Sequence, residues 1–263
     1  MRTLLMLGAG RMGGALLQGW MVVGPVVMDD VLIRDPYPGE DALEAAEAGA
    51  ILNPPDDVLR KAETVLLGVK PQMWREAAQA VEPLLDPSAI IVSIVAGVSS
   101  ADISKAFGGR RVARVMPTTA VAIAQGTASI FAQDHQARDR AHDLFEALAL
   151  VADLDDETLM HAATAVSGSG PAYLYAFIEA LEAAGVSAGL PEDAAALLAR
   201  STITGAAALL ASSEDDPAEL RKQVTSPGGT TQAALEVLMG DSGFPALLDE
   251  AVAAAVRRSK ELG

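Results

Sequence analysis

Short apolar runs alternate with amphipathic segments through the first half of the chain. The runs that predict β-strands are residues 3–7, 31–34, 64–69, 89–95, 112–115 and 127–131. Between the earlier runs, apolar residues recur at helical spacing over residues 12–21, 41–47 and 72–85. The run at 89–95 is almost entirely apolar, which is typical of a strand covered on both faces. This alternation predicts an α/β domain built on a mostly parallel sheet.

The pattern changes after about Leu154, where strand-like runs stop. Long segments rich in alanine and leucine follow at helical spacing, over residues 172–184, 191–211, 218–224, 230–239 and 246–261. A boundary within residues 153–158 therefore divides the chain into an α/β domain at 1–154 and an all-α domain at 155–263. Because the second domain has few large side chains, we expect it to complete its core across a subunit interface, in a homodimer or a higher homo-oligomer.

Charge and composition narrow the possible partners. The 263 residues carry a net charge of −16, which opposes binding to nucleic acid. There is no cysteine, and the three histidines, at positions 135, 142 and 161, form no pair with the spacing of metal ligands, so no metal site is expected. No apolar run is long enough to span a bilayer. We expect a cytoplasmic protein with no membrane partner.

A G-x-G-x-x-G sequence directly follows the first predicted strand and opens the first predicted helix. Its residues are Gly8, Ala9, Gly10, Arg11, Met12 and Gly13. The first glycine permits a tight turn, the second lets the backbone approach a pyrophosphate, and the third lets helix and strand pack closely. The helix amides then face the phosphates. The pattern predicts a Rossmann-type domain that binds NADH or NADPH; an ordinary strand-to-helix turn is the alternative.

Two residues of opposite charge, Arg34 and Asp35, stand at the end of the second predicted strand. An acidic residue here normally holds the ribose hydroxyls of NAD, whereas a nearby arginine accommodates the 2′-phosphate of NADP. Because both are present side by side, the sequence leaves the choice between NADH and NADPH open.

Three further motifs stand beside predicted elements. They are Val69-Lys70-Pro71, AVSGSGPAY at residues 165–173 and VTSPGGTT at residues 224–231. Together with the glycine loop, they resemble the pyrroline-5-carboxylate reductase family over nearly the whole chain, and VTSPGGTT is the most specific of that family's signatures. The resemblance implies a nicotinamide-dependent reductase that converts the cyclic imine 1-pyrroline-5-carboxylate to L-proline, the last step of proline biosynthesis. It also implies a helical dimerisation domain.

The VTSPGGTT loop offers hydroxyls, glycines and free amides at a helix start, which suit a carboxylate. The resemblance implies that Ser226, Gly229 and Thr230 hold the substrate carboxylate and that Thr231 hydrogen-bonds the ring nitrogen. Since a threonine hydroxyl is a poor acid, Thr231 would relay a proton from water or orient an imine that arrives protonated. An ordinary Pro-Gly turn is the alternative.

Lys70 follows a parallel strand, on the side where open α/β sheets bind ligands. The resemblance implies that Lys70 lies near the nicotinamide and the substrate, where its charge offsets the carboxylate; a solvated loop lysine is the alternative. The resemblance also implies that Glu214 lies near the active site, although the acidic segment around it has the composition of a surface loop.

Further cofactor contacts are implied for residues that flank two strands, namely Val69, Pro71, Met116 and Pro117. After the last of these the chain departs from the family, because Thr118 replaces an asparagine and Ala120 replaces a proline. Threonine offers a single hydroxyl in place of a rigid amide, and the loop without proline is less stiff. We expect these departures to alter cofactor affinity rather than the type of reaction.

Two other functions are compatible with the same architecture. A related reductase could act on another cyclic imine or on a small keto or hydroxy acid. β-Hydroxy-acid dehydrogenases need a lysine on a long helix of the second domain, and only Lys222 and Lys260 follow residue 105, so imine chemistry is favoured. A non-catalytic dinucleotide-binding protein would have no use for the loop at residues 224–231.

Overall fold

The structure of the chain is a computed structural model that describes residues 3–261. Within that range, eight strands form a single sheet in the order β3-β2-β1-β4-β5-β6-β7-β8. They are β1 Leu4–Leu7, β2 Val31–Arg34, β3 Ile51–Leu52, β4 Thr64–Leu67, β5 Ile90–Ser93, β6 Val112–Pro117, β7 Gly126–Ala132 and β8 Ala149–Asp153. Neighbouring strands are parallel except β6 and β7, which are antiparallel. The predicted Rossmann-type, mostly parallel sheet is confirmed.

Helices cover both faces of this sheet. They are α1 Arg11–Val23, α2 Glu40–Glu47, α3 Trp74–Val81, α4 Ser100–Ala106, α5 His135–Phe145 and α6 Leu159–Ala163, with short 3₁₀ helices at Met28–Asp30, Asp56–Lys61, Glu82–Leu84 and Thr119–Ile123. Alternate residues of β1 enter different hydrophobic clusters: Leu4 and Met6 belong to one, Leu5 and Leu7 to the other. All four side chains are at most 2% exposed. A strand buried on both faces must be apolar throughout, which explains the uninterrupted run in the sequence.

The two strands at the edges of the sheet, β3 and β8, were not predicted. Strand β3 has only two residues, and β8 lies in an apolar run made mainly of alanine and leucine, which favour helices. The run predicted at residues 64–69 ends as a strand at Leu67, because the chain leaves the sheet at Gly68. Edge strands lack a second neighbour and one covered face, and their sequences carry a correspondingly weak signal.

Beyond α6, one turn of π-helix at Thr164–Gly168 precedes five helices. These are α7 Gly170–Ser187, α8 Glu192–Ser212, α9 Pro217–Gln223, α10 Thr230–Leu238 and α11 Phe244–Glu261. By compactness the chain divides into a first unit, which runs to Gly168 and includes the chain again from Ala255, and a second unit, Ser169–Ala254. The boundary predicted between residues 154 and 155 stays a prediction, and residues 1, 2, 262 and 263 of the predicted domains lie outside the described range.

The second unit has little core of its own. Within it, the buried hydrophobic residues are Ala195 and Ala199, both on α8. Large apolar side chains such as Leu197 and Leu209 are more than half exposed. Phe177 and Phe244 meet edge to face with ring centroids 5.7 Å apart. Exposed leucines on this scale indicate a surface that another chain or another apolar phase covers.

Helix α8 is long and apolar enough, by length and composition alone, to cross a membrane. The sequence did not predict this helix as a span, because no uninterrupted apolar run of that length exists in it. Glu192 and Asp193 stand in the first turn of the helix, and Arg200 in its middle pairs with Glu182 of α7, with Arg200 Nε 2.7 Å from Glu182 Oε1. Such charges are costly at the centre of a bilayer, so this helix is weak evidence for a span.

Candidate active site

The glycine loop between β1 and α1 depends on two glycines for its shape. Gly8 has φ +88°, in the left-handed region that favours glycine, and its N–H donates to Arg34 O at 2.9 Å. A Cβ on Gly13 would lie 2.6 Å from Gly8 O. Gly13 therefore lets the first turn of α1 pack directly on the loop, as the sequence predicted.

The N-terminus of α1 is open. Gly10 is its N-cap and provides no side-chain hydrogen bond, so the first-turn amides, including those of Arg11 and Met12, have no cap. A Cβ on Gly10 would meet nothing within 4 Å, which shows free space in front of the helix. Uncapped amides at the positive end of a helix, next to open space, fit a pyrophosphate.

Both carboxylate oxygens of Asp35 accept backbone hydrogen bonds, one from the glycine loop and one from the turn that follows Asp35. Its Oδ2 accepts the Ala9 N–H at 2.8 Å, and its Oδ1 accepts the Tyr37 N–H at 2.8 Å. Asn53 holds the Asp35 backbone from the other side, through bonds of 3.0 Å to the N–H and 2.9 Å to the carbonyl oxygen. Asp35 thus lies beside the loop, where the sequence predicted it.

An apolar cavity of about 320 Å³ adjoins the end of β2. Its lining includes Leu7, Arg34, Asn53, Val69, Met73 and Ala77. Arg34 does not stand free there, because its Nη2 lies 2.6 Å from Asp56 Oδ1. Mostly apolar walls with a few polar groups suit a flat aromatic base such as adenine.

The loop after β4 approaches the glycine loop, as expected of the Val69-Lys70-Pro71 motif. Gly68 N–H donates to Leu7 O at 2.8 Å, and a Cβ on Gly8 would lie 3.0 Å from Val69 Cγ1. Lys70 is exposed, and its carbonyl oxygen accepts the Met73 N–H at 2.9 Å. Val69 thus meets the predicted cofactor loop, and Pro71 continues the same turn toward α3.

Met116 and Pro117 end β6 and are buried. Thr118, which departs from the family, is also buried and exchanges two hydrogen bonds with Thr127: its N–H donates to Thr127 O at 2.9 Å, and its Oγ1 accepts the Thr127 N–H at 3.0 Å. The hydroxyl that replaces the asparagine amide therefore ties the β6–β7 connection together. Ala120 is the second residue of the short 3₁₀ helix at Thr119–Ile123, and its carbonyl oxygen accepts the Gln125 N–H at 3.1 Å.

The VTSPGGTT loop of the second unit is a tight turn between α9 and α10. The Gly229 N–H donates to Ser226 O at 3.0 Å, and a Cβ on Gly229 would lie 2.5 Å from Ser226 Oγ. Gly229 is the N-cap of α10 without a side-chain cap, so the amides of Thr230 and Thr231 at the first turn have no helical acceptor. The Gly229 amide is already bonded inside the turn. Gly229 therefore contributes to the site by its lack of a side chain, which leaves room for the Ser226 hydroxyl.

Gln232 shapes this loop, a role that the sequence did not predict. Its Oε1 accepts the Gly228 N–H at 2.8 Å, and Gly228 has φ +70°. A glutamine at the third helical position that reaches back to the preceding loop resembles the second half of a capping box, except that it accepts from Gly228, one residue before the N-cap Gly229. That spacing was the available signal, since Gln232 stands three residues after the N-cap Gly229.

Glu214 lies exposed in the loop between α8 and α9. The hydrogen bonds of this loop are made by its neighbours: Asp215 Oδ2 accepts Gln223 Nε2–H at 2.8 Å, and Asp216 Oδ1 accepts the Glu219 N–H at 2.9 Å. Asp216 is thereby the N-cap of α9. The substrate role of Glu214 stays a prediction that these contacts do not support.

The AVSGSGPAY motif spans the π turn and the start of α7. In the first unit, a Cβ on Gly168 would lie 3.5 Å from Met116 Sδ. In the second unit, Pro171 stands in the first turn of α7, where its missing N–H has no cost. The buried Tyr173 hydroxyl has no hydrogen-bond partner within residues 3–261. Single π turns are frequent at functional sites, and this one lies beside the predicted cofactor residue Met116.

A polar cluster in the first unit shifts the pKa values of two of its members, Glu157 and His161. Burial opposes the charge on Glu157 and raises its pKa. Hydrogen bonds from Ser100 N–H at 2.6 Å and from Arg114 Nη1 at 2.9 Å outweigh this effect, so the pKa of Glu157 is lowered overall. Burial, with the nearby charges of Arg114 and Lys260, lowers the pKa of His161. Arg114 is 4% exposed, so the cluster anchors the start of α6 to the sheet. No group of side chains in the described residues could hold a metal ion.

Comparison with known proteins identifies the family to which this chain belongs. A model for pyrroline-5-carboxylate reductase dimerisation matches residues 157–262, and a model for coenzyme F420-dependent NADP oxidoreductases matches residues 3–97. The pyrroline-5-carboxylate reductase of Pseudomonas aeruginosa is 38% identical over 97% of this chain and 95% of its own length. That of Pisum sativum is 36% identical, over 99% and 96%. The chain belongs to the pyrroline-5-carboxylate reductase family.

Solved structures agree with this assignment. The pyrroline-5-carboxylate reductase of Coxiella burnetii has a TM-score of 0.88 and 29% identity, covering 100% of this chain and 98% of its own. The Plasmodium falciparum enzyme, solved with NADP bound, has a TM-score of 0.85 and 26% identity at the same coverage. The predicted family and fold are confirmed. The glycine loop, with its open amides and adjoining apolar cavity, fits a nicotinamide dinucleotide.

Proposed function

We propose that the protein reduces 1-pyrroline-5-carboxylate to L-proline with NADPH or NADH. The observation that carries the proposal is the turn before α10, in which Gly229 leaves room for the Ser226 hydroxyl and two helix amides stay open. A small anion can be held there by a hydroxyl and amides without a cationic side chain. Membership of the family over nearly the full chain supports the same reaction.

Substrate binding would depend on this turn. Ser226, the hydroxyl and first-turn amide of Thr230, and the first-turn amide of Thr231 would hold the single carboxylate of the substrate. Because the donors sit on a turn fastened by Gln232, they are oriented before the ligand arrives, and preorganised donors lose little freedom on binding. The carboxylate then fixes the orientation of the imine ring.

The reduction adds a hydride to the imine carbon and a proton to the ring nitrogen. The bound nicotinamide supplies the hydride. Thr231 would hydrogen-bond the nitrogen, and its hydroxyl would relay a proton from water or orient an imine that is already protonated. Lys70, exposed next to the loop that meets Gly8, would offset negative charge of the bound ligands.

We also propose that the protein works as a homodimer or a higher homo-oligomer. Leu197, Leu209 and similar side chains of the second unit lie largely exposed, and this region matches the family's dimerisation model. A second copy would cover these apolar side chains and account for the hydropathy of α8. We place the protein in the cytoplasm, where the reduced nicotinamides are available, and expect no nucleic-acid partner because of its charge of −16.

The direct test is oxidation of NADH and NADPH, followed at 340 nm with 1-pyrroline-5-carboxylate as the substrate. Turnover with either cofactor, with L-proline identified as the product, is the expected result. Six-membered cyclic imines and small keto acids are assayed in parallel as competing substrates. If a folded preparation that binds cofactor turns over one of these and leaves pyrroline-5-carboxylate untouched, the proposed substrate is wrong.

A further inference from the structure

Three charged side chains meet at the end of β2, next to the cavity that suits adenine. Arg34 is the single cation among them, and Asp35 and Asp56 are the two anions. The inference drawn from them concerns the choice between NADH and NADPH, and it rests on the proposed use of a nicotinamide cofactor. These cofactors differ only in the 2′-phosphate of the adenosine ribose, which is a dianion at neutral pH.

Asp35 favours a ribose that keeps its 2′-hydroxyl. Each of its carboxylate oxygens accepts one amide hydrogen, from Ala9 and Tyr37, and each has a second lone pair left for a further donor. A hydroxyl can donate to such an oxygen, whereas a phosphate dianion has no hydrogen to donate and is repelled. One amide of the glycine loop and the amide of Tyr37 hold the carboxylate, so it cannot swing away without breaking both bonds.

Arg34 is the group that would attract a 2′-phosphate, and it is already paired. Its Nη2 lies 2.6 Å from Asp56 Oδ1, and the Arg34 side chain is only one-third exposed. Asp56 stands in the first turn of the 3₁₀ helix that follows Pro55, whose ring restricts the backbone there. The ring of Pro55 therefore helps to fix the position from which Asp56 reaches Arg34.

We propose that Asp56 is a specificity-determining residue, which pairs with Arg34 and thereby directs the protein toward NADH. To bind NADPH, the 2′-phosphate must displace Asp56 from Arg34 and then remain beside two carboxylates. NADH needs neither step. The Plasmodium falciparum relative was solved with NADP bound, so the family's fold admits that cofactor, and the charges around β2 set the preference in this chain.

Equilibrium binding tests this proposal without any turnover. NADH and NADPH are titrated into the full-length protein, with the nicotinamide fluorescence as the readout, for the parent and for Asp56→Asn. We expect the parent to bind NADH more tightly. Asp56→Asn, which keeps the shape and removes the charge, should tighten NADPH binding about tenfold and change NADH binding much less. Asp57→Asn is the matched control, because Asp57 is exposed on the same turn and carries the same charge.

A double variant separates pairing from general charge. If Asp56 acts through Arg34, then Arg34→Gln with Asp56→Asn should lose the gain that Asp56→Asn shows alone. Raising the salt concentration should weaken NADPH binding to Asp56→Asn more than NADH binding.

The proposal is overturned if the parent binds NADPH more tightly than NADH, or if Asp56→Asn and Asp57→Asn have the same effect. Thermal unfolding confirms that each variant is folded. Since these titrations contain no imine, a failed turnover assay removes the proposed substrate and leaves this result standing.

Discussion

The Ser226 hydroxyl occupies the space in which Gly229 would carry a side chain, since a Cβ on Gly229 would lie 2.5 Å from Ser226 Oγ. Real Cβ atoms do not approach a neighbour so closely, so a larger residue must push the serine or the turn away. The relationship explains in physical terms why the second glycine of VTSPGGTT precedes the helix. It also makes the position of the hydroxyl depend on the absence of a methyl group.

Gly229→Ala should therefore damage substrate binding while cofactor binding stays intact. We expect KM for 1-pyrroline-5-carboxylate to rise roughly tenfold to a hundredfold, because a displacement of about 1 Å is enough to misplace a binding group. Steady-state kinetics gives the KM, and fluorescence titration gives the NADH affinity. Gly39→Ala is the control, because Gly39 is also an uncapped N-cap but has nothing within 4 Å of its Cβ position. An unchanged KM in Gly229→Ala would mean that the turn does not hold the substrate.

Two glycines of the cofactor loop should give different results. In Gly13→Ala the new Cβ would meet Gly8 O, so overpacking should reduce both stability, by about 1–3 kcal/mol, and cofactor affinity. In Gly10→Ala the Cβ enters open space and should leave the melting temperature unchanged, yet it blocks the close approach of a pyrophosphate. Differential scanning fluorimetry and NADH titration separate these effects. Equal cofactor affinity of Gly10→Ala and the parent would place the phosphates elsewhere.

Stability should fall in acid because of Glu157. Its pKa is lower in the folded chain than the ordinary value of 4.5, so its contribution is complete above pH 4.5 and is lost as the pH falls below it. Glu157→Gln leaves the buried Arg114 without its charged partner and should cost about 1–3 kcal/mol at pH 7. Urea unfolding at several pH values should show this difference shrinking toward pH 3.

The matched control for that series is Glu219→Gln. Glu219 pairs with Lys222 on the surface of α9, at 3.0 Å with both side chains about half exposed or more. Exposed pairs contribute about 0–1 kcal/mol, so its loss should scarcely change the urea midpoint. A pH-independent cost for Glu157→Gln would show that the residue acts through packing rather than through its charge.

How much of the fold was predictable depends on where each element lies in the sheet and on which residues form it. The strand at Leu4–Leu7 could be predicted because both of its faces are covered, so every one of its residues is apolar. Strand β8 lies in an apolar run at residues 147–152, but the run is rich in alanine and leucine, which favour helices over strands, so its sequence did not indicate a strand. Strand β3 could not be predicted either, because its two residues are too few to form a pattern.

The candidate site divides in a similar way. Gly8 and Gly13 could be predicted from the sequence because their whole motif lies within one turn. The pairing of Arg34 with Asp56 could not be predicted, because it depends on how the chain returns after β3. Asp35 was found by its distance from the loop, but its two amide bonds required coordinates. Charge pairing between separate segments is a tertiary property that spacing does not reveal.

The apolar face of α8 should control the oligomeric state. Leu197 is 69% exposed on α8, and a charge there would be buried without a partner if a second copy covers the helix. Leu197→Glu should therefore dissociate the oligomer, as measured by light scattering after size-exclusion chromatography. Leu150→Glu is the control, because Leu150 is 83% exposed on β8 of the first unit. The same mass for both variants would exclude this part of α8 from the interface.

Neighbouring threonines at the start of α10 should affect different steps. Thr230 is assigned to the carboxylate and Thr231 to the ring nitrogen, so removal of each hydroxyl by valine tests each role. Thr230→Val should raise KM for 1-pyrroline-5-carboxylate with little change in kcat, because it removes binding present in both ground and transition states. Thr231→Val should lower kcat about a hundredfold with little change in KM, because a proton transfer is general acid–base chemistry.

Conservative variants complete this comparison. Thr231→Ser keeps the hydroxyl and should recover most of the rate that Thr231→Val loses, whereas a role in packing would be restored better by valine, which keeps the volume. If Thr231 relays a proton from water, the rate of Thr231→Val should also fall more steeply as the pH rises, since a protonated imine needs no relay and is less populated there. A pH profile parallel to that of the parent would leave Thr231 with an orienting role alone.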